Sequence, residues 1–228
     1  IVVAFEVLGR LIIGESFLMV TICTRLRNEP QVRAIAETYD GVFYAAGTHP
    51  MSAAEEPLAT LDQLVALAAH PKFVGIGETG LDYHYTAESA AIQQTSLRVH
   101  IQAAQETGLP LIIHARAADD DMARILAEGM AERPYTCVMH CFSSSEALGM
   151  AALEMGFYLS MSGITAFPKS QELRDIFARA PLDRILLETD SPYLAPPPDR
   201  VPVGEEGLPP LPSSPASPSW LDPSASGW

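Results

Sequence analysis

The sequence predicts an α/β chain folded as a TIM-type (β/α) barrel. Three observations carry that prediction: seven apolar runs of strand length, helical segments between successive runs, and a residue able to bind metal at the end of four of the runs. The runs are FLMVTICT (17–24), VFYAAGTH (42–49), FVGIGETG (73–80), LPLIIHAR (109–116), TCVMHCF (136–142), YLSMSG (158–163) and RILLETD (184–190). Runs this continuously apolar suit strands buried on both faces, as in a parallel sheet.

The segments between them read as helices. Glu29-Pro30 opens residues 29–39, with proline near the first helical position. Residues 54–69 carry Leu58, Leu61, Leu64 and Leu67 at helical spacing. The stretch 87–107 is long and polar on one side. Asp119, Asp120 and Asp121 open the next segment, where the helix dipole favours acids. Ser143 to Ser145 precede EALGMAALEMG, a cap signal ahead of a helix that stops at glycine, and Ser170 precedes QELRDIFARA. Strand and helix thus alternate about seven times, which calls for parallel strands joined by crossover helices. Units of roughly 30 residues favour a barrel over an open sheet.

Composition bounds the rest. The 228 residues are 48% hydrophobic and 18% charged, which is globular and long enough for a large core. The expected barrel spans residues 1–195. From residue 196 to 228 the chain is dense in Pro and Ser without periodicity, and is expected to be extended or disordered. Within it, PPLPSSP is a candidate polyproline II ligand. A net charge of −14 repels nucleic acid at long range, so a nucleic-acid substrate would have to be held locally, near a metal or a small basic patch. The three cysteines, Cys23, Cys137 and Cys141, form no disulfide framework and point to a reducing, cytoplasmic setting. The first twenty residues are apolar, but Glu6, Arg10 and Glu15 interrupt them, leaving no uncharged span of about 20 residues for a membrane. They also lack the basic region and small-residue cleavage site of a signal peptide. The start at Ile1 rather than Met leaves room for residues upstream.

The chemistry gathers at strand ends. FVGIG leads to Glu78, LPLII to His114, CVM to His140 and RILLET to Asp190. In a (β/α) barrel all such ends meet at one mouth. A strand-end histidine taken singly is more often hydrogen-bonded than metallated; four such residues at the same end are harder to dismiss. Two imidazoles and two carboxylates suit Zn²⁺ or Mn²⁺ and tolerate Mg²⁺. A metal there would activate water and polarise a phosphoryl or carbonyl oxygen, and Asp190 could both ligate it and take the water's proton. Strand parity puts His140 on the face of Val138 and Phe142, with Cys137 and Cys141 opposite, so the cysteines are expected to pack as buried thiols rather than chelate. GIGETG (75–80) matches the G-x-G-x-x-G dinucleotide pattern, but no helix opens within it and Glu78 would oppose a pyrophosphate. No small organic cofactor is expected.

Five ordered segments resemble the TatD family of metal-dependent deoxyribonucleases: Gly47-Thr48-His49-Pro50 is similar to its G-x-HP motif, GETGLDYHY (77–85) to its GE-x-GLD signature, and IIHARAADDDMARIL (112–126), VMHCFSSS (138–145) and ETDSPYLAP (188–196) to later blocks. The resemblance covers roughly residues 19–198. It implies an amidohydrolase-like TIM barrel that cleaves DNA, often from a 3′ end, usually with two divalent ions. On the matching positions, Glu78 resembles the bridging metal ligand, His114 and His140 the second-metal ligands, and Asp190 the first-metal ligand and catalytic base. His49 falls where a substrate-facing histidine is expected, though a turn residue before Pro50 reads equally well. Arg116 is a candidate phosphate contact, with a surface ion pair as the alternative.

The chain departs from the family at both ends, so the barrel is expected to be incomplete there. The family's first strand carries H-x-H; here the first histidine is His49, and IVVAFEVL, the candidate for the first-strand position, offers only Glu6 as a ligand type. After YLAP the Pro/Ser stretch stands in place of the family's final loop and helices. At most one tightly bound ion is expected, with two-metal clamping impaired. The leading expectation is a TatD-like deoxyribonuclease of reduced activity acting on DNA. The alternatives are a catalytically inactive or truncated relative, or an amide or ester hydrolase on the same scaffold.

Overall fold

The computed structural model describes residues 18–190, together with the backbone of residues 2–4. The Pro/Ser-rich segment with PPLPSSP, the boundary at residue 195, and Glu6 lie outside the described residues. Each of the seven apolar runs holds a strand: β2 (Met19–Cys23), β3 (Val42–Ala46), β4 (Phe73–Asp82), β5 (Leu111–Arg116), β6 (Cys137–Met139), β7 (Tyr158–Met161) and β8 (Ile185–Leu187). They pair in sequence order and all in parallel, forming a curled, partial barrel. A further strand, β1 (Val2–Ala4), pairs antiparallel with β2. This corrects the placing of IVVAFEVL as a first barrel strand. An antiparallel neighbour runs away from the mouth, so it does not deliver its C-terminal end there as the barrel strands do.

Helices fill the crossovers: α1 (Glu29–Thr38), α2 (Leu61–Leu67), α3 (Ala90–Thr107), α4 (Asp119–Glu132), α5 (Glu146–Glu154) and α6 (Gln171–Arg179). Local chemistry sets their ends. Thr60 and Gln63 form a capping box that starts α2, so the helix begins later than the leucine spacing suggests and Leu58 stays outside it, 41% exposed. Gly108 ends α3 in a left-handed conformation at φ 71°. Ser145 caps α5, its side chain accepting from Leu148 N–H, while Asp119 at the start of α4 accepts the N–H of Ser145 itself at 2.9 Å.

Two apolar layers sandwich the sheet. Val20, Ile22, Ala45 and Ile112 pack on its concave side. Tyr44, Ile76, Leu111, Ile113, Met139 and Leu159 face the helices, meeting side chains such as Leu64, Leu97, Ile125 and Ile176. Burying each of those leucines and isoleucines stabilises the fold by about 1.5–3 kcal/mol. The alternation decides which residues reach the mouth. Ile112 and His114 share the concave face, whereas Cys137 is fully buried in the helix-facing layer, as parity requires of a residue one step from Val138.

Candidate metal centre

Strand β4 is the spine of the site, and its glycines explain its composition. A Cβ at Gly77 would lie 2.4 Å from the Ile112 carbonyl oxygen, and one at Gly80 only 1.9 Å from that of His114. The glycines of GIGETG therefore let β4 press against β5, where the register shifts between Ile76 and Thr79. That shift surrounds Glu78. The carboxylate is 1% exposed.

Three histidines from three different loops or strands approach one oxygen of Glu78. Oε1 lies 3.7 Å from His49 Nε2, 3.4 Å from His114 Nδ1 and 4.0 Å from His140 Nε2. The other oxygen, Oε2, is buried with no hydrogen-bond partner among the described residues. An uncompensated buried carboxylate oxygen is costly, and a cation would satisfy it. Asp190 joins from the segment three residues beyond β8, its Oδ1 3.3 Å from His140 Nε2. Sequence reasoning named all of these residues, and the structure brings them together. His49, Glu78 and His114 form a group that could hold a metal ion, with ligand atoms all within 4.8 Å of one another.

Two acids that sequence reasoning passed over complete the arrangement. Asp82 Oδ2 lies 3.0 Å from His114 Nε2, and Glu188 Oε2 lies 2.5 Å from His140 Nδ1. Both stand in quoted stretches, GETGLDYHY and ETDSPYLAP, so the signal was available. His114 and His140 thus each turn one nitrogen to a carboxylate and the other to the centre, the arrangement that fixes a metal-binding imidazole's tautomer. Glu188 also accepts the N–H of Cys141. A third omission is His100, buried in α3. Its Nδ1 bonds the Ser96 carbonyl at 2.8 Å, and its Nε2 accepts the Thr48 N–H at 3.1 Å, fixing the loop that carries His49.

Charges follow the geometry. Burial works to raise Glu78, but the His114 hydrogen bond and the fields of His140 and His49 outweigh it and hold its pKa at about 2. Burial works to lower His114 and His140, and their carboxylate partners hold both above the ordinary histidine range. His49 is the reverse: burial and its histidine neighbours hold it at about 4, so it is neutral at pH 7. Its Nδ1 accepts the Met51 N–H at 3.3 Å, so the neutral ring carries its proton on Nε2, the atom facing Glu78. Three non-glycine residues at the mouth take left-handed backbone: Ala117 (φ 53°), Cys141 (φ 44°) and Asp190 (φ 51°). Such strain, about 1–2 kcal/mol per residue, concentrates at functional sites.

Arg116 ends β5 two residues beyond His114. Its guanidinium lies 4.7 Å from the Tyr85 ring centroid and forms no ion pair among the described residues.

Residues 14–210 match the family model described as TatD related DNase. The chain belongs to the TatD family. It is 38% identical over 206 residues to the metal-dependent hydrolase YcfH of Escherichia coli strain K12, covering 90% of this chain and 75% of the relative. It is 30% identical to the 3′-5′ ssDNA/RNA exonuclease TatD of Shigella flexneri, over 80% of this chain and 70% of that one. Among solved structures it resembles the TatD homologue YjjV of Escherichia coli K12, with a TM-score of 0.71 and 31% identity over 78% of this chain and 68% of that chain. The TatD relatives are metal-dependent hydrolases, and the orphaned Glu78 oxygen with its facing imidazole nitrogens fits that chemistry. Among the described residues, no helix is long and apolar enough to cross a membrane.

Proposed function

We propose that this TatD-family hydrolase cleaves phosphodiester bonds in single-stranded DNA. The observation that carries the reading is the convergence of His49, His114 and His140 on one oxygen of Glu78, with carboxylates behind two of the rings. The family description and the name of the Shigella relative support nucleic acid as the substrate.

In this reading Glu78, His114, His140 and Asp190 hold a divalent ion, and the ion supplies Lewis-acid polarisation of the phosphoryl oxygen together with a more acidic water. Asp82 and Glu188 keep the second ring nitrogens of His114 and His140 turned inward. Asp190, the more open of the acids at 15% side-chain exposure, accepts the proton of the attacking water. As water oxygen bonds to phosphorus, the bond to the leaving sugar oxygen breaks, and that oxygen recovers a proton. His49 donates from Nε2 to a non-bridging phosphate oxygen, which its tautomer favours over ligation. Arg116 stands at the rim of the same mouth, facing substrate. A cytoplasmic location is supported by the free thiols of Cys23, Cys137 and Cys141.

The test is cleavage of a single-stranded oligodeoxynucleotide with Mg²⁺, Mn²⁺ or Zn²⁺. Cleavage that Glu78→Gln abolishes is expected. Its absence with every metal at high enzyme concentration, in a folded protein, would overturn the reading.

A further inference from the structure

A chain with 28 acidic and 14 basic residues has little long-range attraction to offer a polyanion, so substrate affinity has to come from another source. The rim of the site carries one. Tyr85 is 55% exposed beside the mouth. The Arg116 guanidinium lies over one side of it, 4.7 Å from the centroid, and the His84 ring meets it edge-on with centroids 4.5 Å apart. The Tyr85 hydroxyl, the His84 ring nitrogens and the Arg116 guanidinium make no hydrogen bond among the described residues. Three planar groups therefore cluster at the surface, the guanidinium over the Tyr85 ring and the His84 ring at its edge, with their polar atoms open.

This stack is tied rigidly to the centre. Asp82 Oδ1 accepts the N–H groups of His84 and Tyr85 at 3.0 and 2.8 Å, while Oδ2 of the same carboxylate meets His114. Tyr83 N–H bonds the Arg116 carbonyl at 2.9 Å, which locks the two halves of the platform together. Arg116 follows His114 by two residues of strand, a rise of about 6.6 Å.

We propose that Tyr85, Arg116 and His84 form a base-stacking subsite for a single-stranded nucleic acid, with a nucleobase lying on the outer face of the Arg116 guanidinium and Tyr85 backing it. Bases stack on aromatic and guanidinium planes without regard to sequence, each contributing enough to change affinity by about tenfold. The subsite would orient the strand by its base and leave the neighbouring phosphate at the metal centre. It rests on the nuclease reading above and deepens it.

The experiment compares two substrates with the same length and phosphate count: a single-stranded oligodeoxynucleotide and its abasic counterpart built on tetrahydrofuran sugars. Wild type should show a KM about tenfold lower for the base-bearing strand. Tyr85→Ala should erase most of that preference, with kcat on the base-bearing strand changed much less than KM, and Tyr85→Phe should restore the preference. A 2-aminopurine in the strand should lose fluorescence on binding to wild type and keep it with Tyr85→Ala. Cleavage of both strands with equal KM by wild type, or a preference that survives in Tyr85→Ala, would overturn the subsite while leaving the nuclease reading intact. Cleavage of neither strand by wild type would overturn both.

Discussion

One carboxylate, Asp82, sits 3.0 Å from His114 Nε2 while its other oxygen receives the backbone N–H groups of His84 and Tyr85. It turns the His114 Nδ1 toward Glu78. Removing such a partner from a metal-binding histidine weakens metal binding about 10- to 100-fold. Asp82→Ala is therefore expected to bind metal that much more weakly, measured by elemental analysis after equilibration with graded chelator. Unchanged affinity in a folded variant would show that His114 is oriented without it.

Glu78 is the one acid that all three histidines face, and its low pKa keeps it ionised at neutral pH. Glu78→Gln preserves its volume and removes the charge. Wild type is expected to copurify with metal, and Glu78→Gln to lose both that metal and hydrolysis. Metal retained at wild-type stoichiometry would place the ion elsewhere.

Much of this centre is legible in the sequence. Continuous apolar runs marked β2 to β8, and a residue at the end of each strand must reach the mouth, so Glu78, His114, His140 and Asp190 could be named from periodicity and position. What escaped depends on distances that no periodicity encodes. The carboxylates behind the histidines are local in neither direction: Asp82 is 32 residues from His114, and Glu188 is 48 from His140. His100 reads from sequence as one more residue on the buried face of α3, because its partner, the Thr48 N–H, is 52 residues away. The left-handed conformations at Ala117, Cys141 and Asp190 gave no warning, since none is a glycine. The antiparallel pairing of β1 was hidden because an apolar run does not encode strand direction.

His100 predicts a pH dependence of stability. Burial holds its folded pKa at about 4, against 6.5 when unfolded. The unfolded chain therefore takes up the proton first, and the stabilisation is fully present above pH 6.5 and is lost as the pH falls toward 4. That loss amounts to about 3 kcal/mol. His49 titrates in the same direction and other groups also contribute, so the useful quantity is the difference between wild type and His100→Gln in urea unfolding at pH 7.5 and 4.5, with chelator present. The stability gap should narrow by about 3 kcal/mol at the lower pH. A gap that does not change with pH would mean His100 is not held neutral.

Gly80 and Gly108 both have positive φ, 144° and 71°, but only one is crowded. At Gly108 a Cβ meets nothing within 4 Å, so Gly108→Ala should cost only the conformational strain, about 1 kcal/mol. At Gly80 the Cβ would fall 1.9 Å from the His114 carbonyl oxygen, so β4 and β5 must part. Gly80→Ala should destabilise the chain by about 3 kcal/mol or more and, by displacing His114, weaken metal binding as well. Urea denaturation ranks the two variants, and metal titration of whatever remains folded separates their effects on the site. Equal destabilisation by the two would show that strand contact at Gly80 is loose, and would remove the argument that the GIGETG glycines exist to bring His114 against Glu78.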